Sequence, residues 1–380
     1  MRIGVLTSLY PGPTRPYEGI FAERRWTGML ARGHDVRVVQ PLPLAPPLAR
    51  GRWRAIAGLP SRETRAGVPI ARPRYLHLPG RARGNARAFA RAGVAALRAG
   101  GAPEVVVCDY AWPAAAAAPA LRGLGIPCAV SGRGSDVLQV AGEAGVAEEL
   151  AAGLRAAGHW CAVSRDLLAT MDRLGGRPGA GVLVPNGVDV ALYHPRERAA
   201  ARAALGLPRG GALVLVVGHL IPCKDPLLAL EAFRRGAPPD ARLCFLGRGE
   251  LQAELLRRAD GRVSLQGEVA PEALADWYAA SDLLLLTSTR EGRPNVVLEA
   301  LASGRPVLAT DAGGTRELLA GAPAMLARTR DPGELGARLA ALLSAPPPPE
   351  ECAALVRELS WDKSLDALEA CLKACAEERG

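Results

Sequence analysis

The sequence predicts an α/β protein made of two Rossmann-like, doubly wound domains. Its 380 residues suit two domains of average size, and short apolar runs alternate with longer Ala- and Leu-rich stretches twice over. The runs are almost continuously apolar, as expected of parallel strands that are buried on both faces. The predicted strands are residues 2–7, 35–40, 104–108, 128–131 and 160–164 in the first half, and 213–217, 242–246, 263–266, 283–287 and 306–309 in the second.

The turn-rich segment from Pro185 to Asp189 separates the two halves and places the domain boundary between residues 186 and 187. The next clear strand opens the second domain. A second rigid break, from Pro346 to Pro349, precedes a final helical stretch around Trp361.

Charge is distributed unevenly along the chain. The first 186 residues carry a net charge of +12 and the remainder −3, and the segment from Arg50 to Arg98 holds twelve Arg against one acid, Glu63. Such a segment attracts phosphates, anionic lipids or nucleic acid. The alternative is a solvated surface loop and helix. The three aromatic residues of the segment are too few for a base-stacking platform, so we expect an anionic membrane surface as its partner and no nucleic acid.

The eight cysteines have no metal-ligand spacing, and several lie inside apolar runs, so we expect free thiols in a reducing compartment. The N-terminus lacks the features of a signal peptide, and no apolar run approaches about 18 residues. These features predict a cytoplasmic protein with peripheral membrane contact.

In open α/β sheets, ligands bind at the carboxyl ends of the strands, so residues that directly follow strands are the candidates. Gly19 opens a helix after the first strand, although a simple turn would also explain it. Arg133 and Asp136 lie in Ser-Gly-Arg-Gly-Ser-Asp, where the alternative role for Asp136 is a helix N-cap. Gly218 and His219 precede Lys224, which is either a diphosphate-neutralising cation or a surface lysine.

The richest segment, residues 289–299, lies between a predicted strand and a predicted helix. Glu291 is in the loop, residues 292–296 form the helix N-terminus, and Glu299 follows two turns into an apolar helix. Free N–H groups at that N-terminus favour phosphate. The buried carboxylate of Glu299 requires donors, which a diol would supply. The sequence contains no Asp-x-Asp, no dinucleotide-binding glycine fingerprint and no P-loop.

Taken in order, these segments resemble family 4 of the retaining glycosyltransferases. The most specific part is E-G-R-P-N-V-V-L-E-A-L-A-S-G-R-P-V-L-A-T-D-A-G-G, from Glu291 to Gly314, and the resemblance extends from Met1 to about Leu368. It implies the GT-B fold, in which two Rossmann-like domains face each other across a cleft. The C-terminal helix would cross back, giving an acceptor-side domain of residues 1–186 plus 362–380 and a donor-binding domain of residues 187–361.

The resemblance also implies a metal-independent enzyme without a cofactor, in which a UDP- or GDP-sugar is the donor and a glycan, lipid-linked or small molecule the acceptor. Glu291 would hold the donor sugar, Lys224 would stabilise the leaving diphosphate, and Arg133 and Asp136 would line the acceptor side. Glu299 would accept both ribose hydroxyls. The other implied donor contacts are Gly19, Gly218, His219, Arg248, Val269, Gly292, Arg293, Pro294, Asn295 and Val296.

Two positions depart from the family pattern. His219 stands where Arg is common, and Arg133 stands where His is common; arginine carries charge but cannot act as a base. These departures favour an alternative, a catalytically silent relative that binds a nucleotide-sugar, whereas Lys224, Glu291 and Glu299 favour the transferase. The resemblance also implies a place in polysaccharide biosynthesis.

Overall fold

The computed structural model describes residues 1–45 and 50–377. The chain divides into two compact units, Met1–Pro185 with Trp361–Gly380, and Asn186–Ser360. Strands and helices are numbered below in chain order. Within the described residues, no helix combines the length and apolar character needed to cross a membrane.

The first unit is built on an eight-stranded sheet with the order β10-β9-β8-β7-β1-β2-β5-β4, in which only the β4–β5 pair is antiparallel. The strands of the first unit are β1 Arg2–Thr7, β2 Asp35–Val39, β3 Leu42–Pro43, β4 Arg62–Arg65, β5 Val68–Ala71, β6 Arg74–Tyr75, β7 Val105–Asp109, β8 Cys128–Gly132, β9 His159–Ala162 and β10 Val182–Leu183. Strands β3 and β6 lie outside the large sheet and pair with each other. Its helices are α1 Ile20–Ala31, α2 Gly51–Ala57, α3 Ala82–Ala99, α4 Ala111–Ala114, α5 Ala118–Gly123, α6 Ser135–Leu138, α7 Ala144–Ala157, α8 Arg165–Gly175 and α17 Trp361–Glu377.

Helices cover both faces of this sheet, as the continuous apolar runs predict. Helices α1 and α17 pack on one face, where Trp26 and Leu368 join the strand residues Val5 and Val107 in one buried cluster. A β-carbon at Gly28 of α1 would lie 2.6 Å from Leu365, so the two helices approach closely. The final helix therefore packs on the first unit, as the GT-B prediction requires.

The second unit is built on a six-stranded, fully parallel sheet with the order β13-β12-β11-β14-β15-β16. Its strands are β11 Leu213–Val217, β12 Arg242–Leu246, β13 Val263–Gly267, β14 Leu283–Leu286, β15 Val307–Thr310 and β16 Leu326–Ala327. Its helices are α9 Arg198–Ala204, α10 Pro226–Gly236, α11 Gln252–Arg258, α12 Pro271–Ala280, α13 Asn295–Ala302, α14 Gly314–Leu318, α15 Pro332–Ser344 and α16 Pro349–Ala354.

All ten predicted strands are present, and β1, β11 and β12 match the prediction residue for residue. All eight cysteines are free, and seven of them are buried. The segment from Arg50 to Arg98 is more than the solvated loop and helix considered as the alternative, because it also contains the β4–β5 hairpin. Within that hairpin region Arg72 is fully buried and bonds to Gln40 and Glu63.

Candidate functional site

The loops after β11 and β14 bring two of the predicted site residues together. Lys224 ends a short 3₁₀ turn after β11, and Glu291 lies in the loop after β14, the neighbouring strand of the sheet. The Lys224 Nζ atom donates to Glu291 Oε1 at 2.5 Å, and Ser288 Oγ bonds to the same oxygen at 2.6 Å. Glu291 is buried, whereas the Lys224 side chain is 30% exposed. A charged pair whose lysine is accessible to solvent therefore lies at the carboxyl edge of the second sheet.

A second set of contacts fixes the backbone beneath this pair. Asp225, next to Lys224, has a left-handed backbone with φ 44°, which is uncommon for a non-glycine residue. Arg330 pairs with the Asp225 carboxylate at 2.5 Å and donates to the Thr287 carbonyl at 2.7 Å. The Thr287 hydroxyl in turn donates to the Asp225 carbonyl at 2.8 Å. These bonds join the loop after β11 to the loop after β14 and so fix the relative positions of Lys224 and Glu291.

The amino end of α13 follows directly from the Glu291 loop. Pro294 is its N-cap, and Gly292 and Pro294 are buried, while Asn295 and Val296 are half-buried. The first-turn N–H groups and the helix dipole make such an end favourable for anions. Asn295 is held by a 2.9 Å hydrogen bond from Asn186. The predicted phosphate-binding segment is therefore a helix N-terminus, placed beside the Lys224–Glu291 pair.

Glu299 lies on the inner face of α13 and is only 9% exposed. The Tyr278 hydroxyl, from α12, donates to its Oε2 atom at 3.1 Å. Burial and the neighbouring carboxylate raise the pKa of Tyr278 well above its usual value, so this hydroxyl stays protonated and remains a donor. Tyr278 therefore orients Glu299, a role that the sequence analysis did not anticipate.

Replacement of Tyr278 by Phe is expected to lower the free energy of unfolding by about 1–3 kcal/mol, because the buried Glu299 carboxylate loses a donor. Chemical denaturation would measure the change. The matched control is Tyr193→Phe, since Tyr193 packs edge-on against Tyr278 at 5.9 Å and its hydroxyl makes a 3.4 Å bond to a neutral carbonyl. The control should lose less than about 1 kcal/mol. Equal losses in both variants would contradict the role given to Tyr278.

The loops after β11 and β12 touch through glycines. Gly218 has φ 137°, and a β-carbon at Gly247 would lie 1.9 Å from the Gly218 carbonyl oxygen, so only glycine fits at position 247. His219, the next residue, is exposed. The backbone at Gly218 is thus open to close approach by a ligand, because a β-carbon there would meet no atom within 4 Å.

Of the remaining predicted donor contacts of this unit, Arg293 is half-buried in the loop between β14 and α13, and two others lie at the end of β12 and after β13. The Arg248 side chain is exposed and passes 3.5 Å from the β-carbon position of Gly267. Val269 is half-buried against the core of the second unit. Both flank the same sheet edge as Lys224, and their predicted contact with a nucleotide base remains a prediction.

At the carboxyl edge of the first sheet, Arg133 forms a buried ion pair with Asp109. Its guanidinium bonds to the carboxylate at 2.8 and 2.9 Å, and the Trp26 indole donates to the same group at 2.9 Å. Burial alone would raise the pKa of Asp109, but the charge and hydrogen bonds of Arg133 lower it to about 2. Arg25 lies beside the pair, and its pKa falls to about 9 because of burial and the like charge of Arg133.

Asp136 lies in the first turn of α6, and its N-cap position is taken by Gly134 instead. Its carboxylate accepts hydrogen bonds from the backbone N–H groups of Ala111, Arg133 and Gly134, at distances of 2.6 to 3.1 Å. Burial raises the pKa of Asp136 to about 6, although these three bonds lower it. Arg133 and Asp136 are thus held in place by Asp109 and by backbone N–H groups, respectively. Their contact with a substrate remains a prediction.

Gly19 is the N-cap of α1 and has φ 79°, a left-handed conformation that favours glycine. A β-carbon there would also lie 3.1 Å from Leu9. Both the turn and the predicted anion-binding role are compatible with this geometry.

Sequence reasoning missed three residues of these sites: Asp109, Ser288 and Tyr278. Each had a weak signal, since Asp109 and Ser288 follow strand residues directly and Tyr278 is the one residue with a hydroxyl in the apolar stretch Trp277–Ala280. Throughout residues 1–45 and 50–377, no three His, Cys, Asp or Glu side chains are grouped in a way that could hold a metal ion.

Comparison with known proteins finds a glycosyltransferase family model that matches most of each unit. The model for Glycosyltransferase Family 4 matches residues 27–192, and the model for Glycosyl transferases group 1 matches residues 211–345. The first match lies almost entirely in the first unit and the second match in the second unit. The chain is a glycosyltransferase of the GT-B type. The two matches together account for the two Rossmann-like units.

Among curated relatives, the transferase is 29% identical to a putative teichuronic acid biosynthesis glycosyltransferase of Bacillus subtilis, over 84% of its own length and 83% of the relative. It is 33% identical to D-inositol 3-phosphate glycosyltransferase of Geodermatophilus obscurus, over 55% of its own length and half of that relative. The second alignment thus spans only part of the relative.

Solved structures share the fold of the transferase at low sequence identity. Sucrose-phosphate synthase from Thermosynechococcus elongatus matches with a TM-score of 0.75 and 20% identity, over all of this chain and 97% of the other. Anabaena HepE, solved in complex with UDP, matches with a TM-score of 0.74 and 18% identity, over 98% of this chain and all of the other. These matches establish the GT-B fold of the transferase.

Proposed function

We propose that the transferase is a retaining, metal-independent enzyme that moves a hexosyl group from a UDP- or GDP-sugar. The observation that carries this proposal is the Lys224–Glu291 pair beside the amino end of α13. Lys224 supplies a cation for the departing diphosphate, the largest charge that forms in the reaction. Glu291 faces the same point and would hold the donor sugar.

The remaining side chains of the site suit the nucleoside end of such a donor. Glu299 is buried and has one donor from Tyr278, and a ribose diol would supply two further donors to its carboxylate. Arg248 and Val269 flank the sheet edge where a base would lie. Lys224, Arg248 and the dipole of α13 together provide the positive potential that the diphosphate requires.

A panel of nucleotides and nucleotide-sugars tests the donor class. We expect UDP or GDP, but not both equally, to raise the melting temperature, and transfer to persist in excess EDTA. Proton NMR of the first-formed product would then show the anomeric configuration of the donor sugar. Transfer that EDTA abolishes, or a product with inverted configuration, would contradict the corresponding part of the proposal.

We also propose that the acceptor is a glycan or lipid-linked molecule met at an anionic membrane surface, through the basic segment from Arg50 to Arg98. Six arginines of this segment are exposed and have no side-chain partner among the described residues: Arg50, Arg54, Arg62, Arg81, Arg91 and Arg98. Exposed apolar side chains flank them, namely Leu44 at 53%, Leu76 at 62% and Leu78 at 49%. Arginines next to exposed leucines suit an interface of anionic headgroups and acyl chains.

Charge reversal tests this surface. The double variant Arg81→Glu, Arg91→Glu is expected to reduce co-flotation with phosphatidylglycerol vesicles by on the order of tenfold or more, since each basic residue contributes about 1 kcal/mol near such a membrane. The matched control reverses two exposed arginines outside the segment, Arg122→Glu and Arg209→Glu. A wild-type protein that does not co-float, or equal losses in both doubles, would contradict membrane docking at this surface.

A further inference from the structure

A cavity at the amino edge of the first sheet is separate from the site described above. It has a volume of about 490 Å³ and lies where β8 and β9 begin, so Cys128 and His159, the first residues of these strands, line it. Arg133 and Asp136 follow the carboxyl end of β8, at the opposite edge of the same sheet. Cavities of about 300–1,000 Å³ are typical of small-molecule sites. The cavity is therefore of a size that takes a small ligand.

Three arginines from different parts of the first unit line this cavity. Arg122 is in the last turn of α5, Arg155 is in the last turn of α7, and Arg177 follows α8. The side chains of all three are exposed. No Asp or Glu of the described residues lines the cavity with them. The lining therefore carries three positive charges and no negatively charged side chain.

In the part of the chain that the structure describes, none of the three guanidiniums has a carboxylate partner. Arg155 donates to the Leu174 carbonyl at 3.4 Å, and Arg177 donates to the Gly158 carbonyl at 2.9 Å. The guanidinium of Arg177 also lies over the Trp160 ring, 5.7 Å from its centroid. Carbonyl and aromatic contacts orient a guanidinium but do not neutralise it, and each guanidinium has five N–H donors. Charge and donors therefore remain for a ligand.

The ends of two helices balance only part of this charge. Helices α5 and α7 both end beside the cavity, and a helix C-terminus is equivalent to about half a negative charge. Two such ends balance about one of the three positive charges. They explain in part why Arg122 and Arg155 lie here, but not Arg177, which lies outside both helices. About two positive charges remain unbalanced.

We propose that this cavity binds a small soluble molecule that carries a phosphomonoester group. Such a group carries a charge of about −1.5 to −2 near pH 7, which matches the remaining positive charge. The planar fork of arginine binds phosphate oxygens in a bidentate manner. The volume of the cavity also accommodates the rest of a small molecule beside the arginines. This site goes beyond the proposed function, because Lys224 and Glu291 have no part in it.

The double variant Arg122→Met, Arg155→Met tests the proposal in the full chain. Calorimetry would measure the dissociation constants of glucose 6-phosphate and inorganic phosphate, with glucose as the uncharged probe. We expect the wild type to bind both phosphates and not glucose. The double variant should bind the phosphates about 100-fold more weakly, because two charge-assisted partners are lost. The matched control Arg91→Met, Arg98→Met removes two exposed arginines of α3 in the same unit and should stay within about twofold.

The variant Lys224→Ala separates this cavity from the donor site. A phosphate bound beside Lys224 would lose affinity in that variant. A phosphate bound in the cavity should keep its dissociation constant within about twofold, because a cation in the second unit does not contact it. Binding that Lys224→Ala abolishes would therefore overturn the cavity as the phosphate site while supporting the donor site.

The single variant Arg122→Met guards against loss of the fold. Among the described residues the Arg122 side chain makes no hydrogen bond or ion pair, so the melting temperature without ligand should stay close to that of the wild type. We expect this variant to bind glucose 6-phosphate about 10-fold more weakly. Unchanged affinity in Arg122→Met, equal weakening in the double variant and its matched control, or no binding of either phosphate by the wild type at about 1 mM would overturn the inference. All three results leave the proposed function standing.

Discussion

Replacement of Lys224 by Ala is expected to lower kcat for sugar transfer by about 10²- to 10³-fold, because the departing diphosphate loses a positioned cation. The unfolding transition should change less than for a fully buried pair, since Lys224 is 30% exposed and the Ser288 hydroxyl still bonds to the buried Glu291 carboxylate. Release of nucleoside diphosphate under saturating donor would measure the effect. Lys373→Ala is the matched control, because the chain has only three lysines and Lys373 pairs with Glu369 on helix α17, which belongs to the first unit.

The substitution Glu291→Gln also tests whether Lys224 and Glu291 act together in catalysis. Lys224 and Glu291 bond directly at 2.5 Å, so their substitutions should not act independently. We expect the double variant Lys224→Ala, Glu291→Gln to lose less activity than the product of the two single losses. Full activity in Lys224→Ala, or strict additivity in the double variant, would contradict a shared catalytic role for the pair.

Replacement of Asp109 by Asn is expected to lower the free energy of unfolding by about 3–5 kcal/mol, the range for breaking a buried ion pair. The substitution leaves Arg133 and the adjacent Arg25 buried without their carboxylate, and Trp26 loses its charged acceptor. Denaturation by urea would measure it. Glu149→Gln is the control in the same unit, because its partners Arg83 and Arg87 are more than half exposed, and it should lose less than about 1 kcal/mol. A similar small loss in both variants would contradict the account of the Asp109 pair.

The pH dependence of stability follows from the same carboxylate. The pKa of Asp109 is about 2 in the folded chain against an ordinary value of 3.8, so the folded state holds the proton less tightly than the unfolded state. Asp109 therefore stabilises the fold above about pH 4, and this contribution, about 2 kcal/mol, is lost as the pH falls from about 4 to about 2. The Asp109→Asn substitution should remove that part of the acid-induced loss, and an unchanged slope between about pH 4 and about pH 2 would contradict it.

Ten of the fourteen described strands in the two sheets could be predicted because they are apolar runs bounded by polar residues. The two-residue strands β10 and β16 could not be predicted, because they are too short to form such a run. The β4–β5 hairpin could not be predicted either, because Arg62, Glu63, Thr64 and Arg65 resemble a solvated loop. Arg72 illustrates the reason. An arginine is expected at the surface, whereas the fully buried guanidinium of Arg72 donates to Gln40 and forms an ion pair with Glu63. Such compensation depends on tertiary contacts that sequence spacing does not reveal.

For the site, sequence position identified which residues follow strands, and the structure determines which of them meet. Lys224 and Glu291 are 67 residues apart and join because β11 and β14 are neighbours in the sheet. The sequence indicated that Glu299 needs donors but not that Tyr278 supplies one, because a tyrosine between tryptophan and alanine is typical of a core residue. Similarly, Asp109 lies one residue past the predicted end of β7, and only the fold brings Arg133 to it.

Release of nucleoside diphosphate from purified transferase, with a panel of UDP- and GDP-sugars, with and without EDTA, tests the central claim most directly. We predict release from one donor, unaffected by EDTA and lowered at least about 100-fold in Lys224→Ala. Release that Lys224→Ala leaves unchanged, or no release from any donor together with no thermal shift by UDP or GDP, would contradict a donor site built on Lys224 and Glu291.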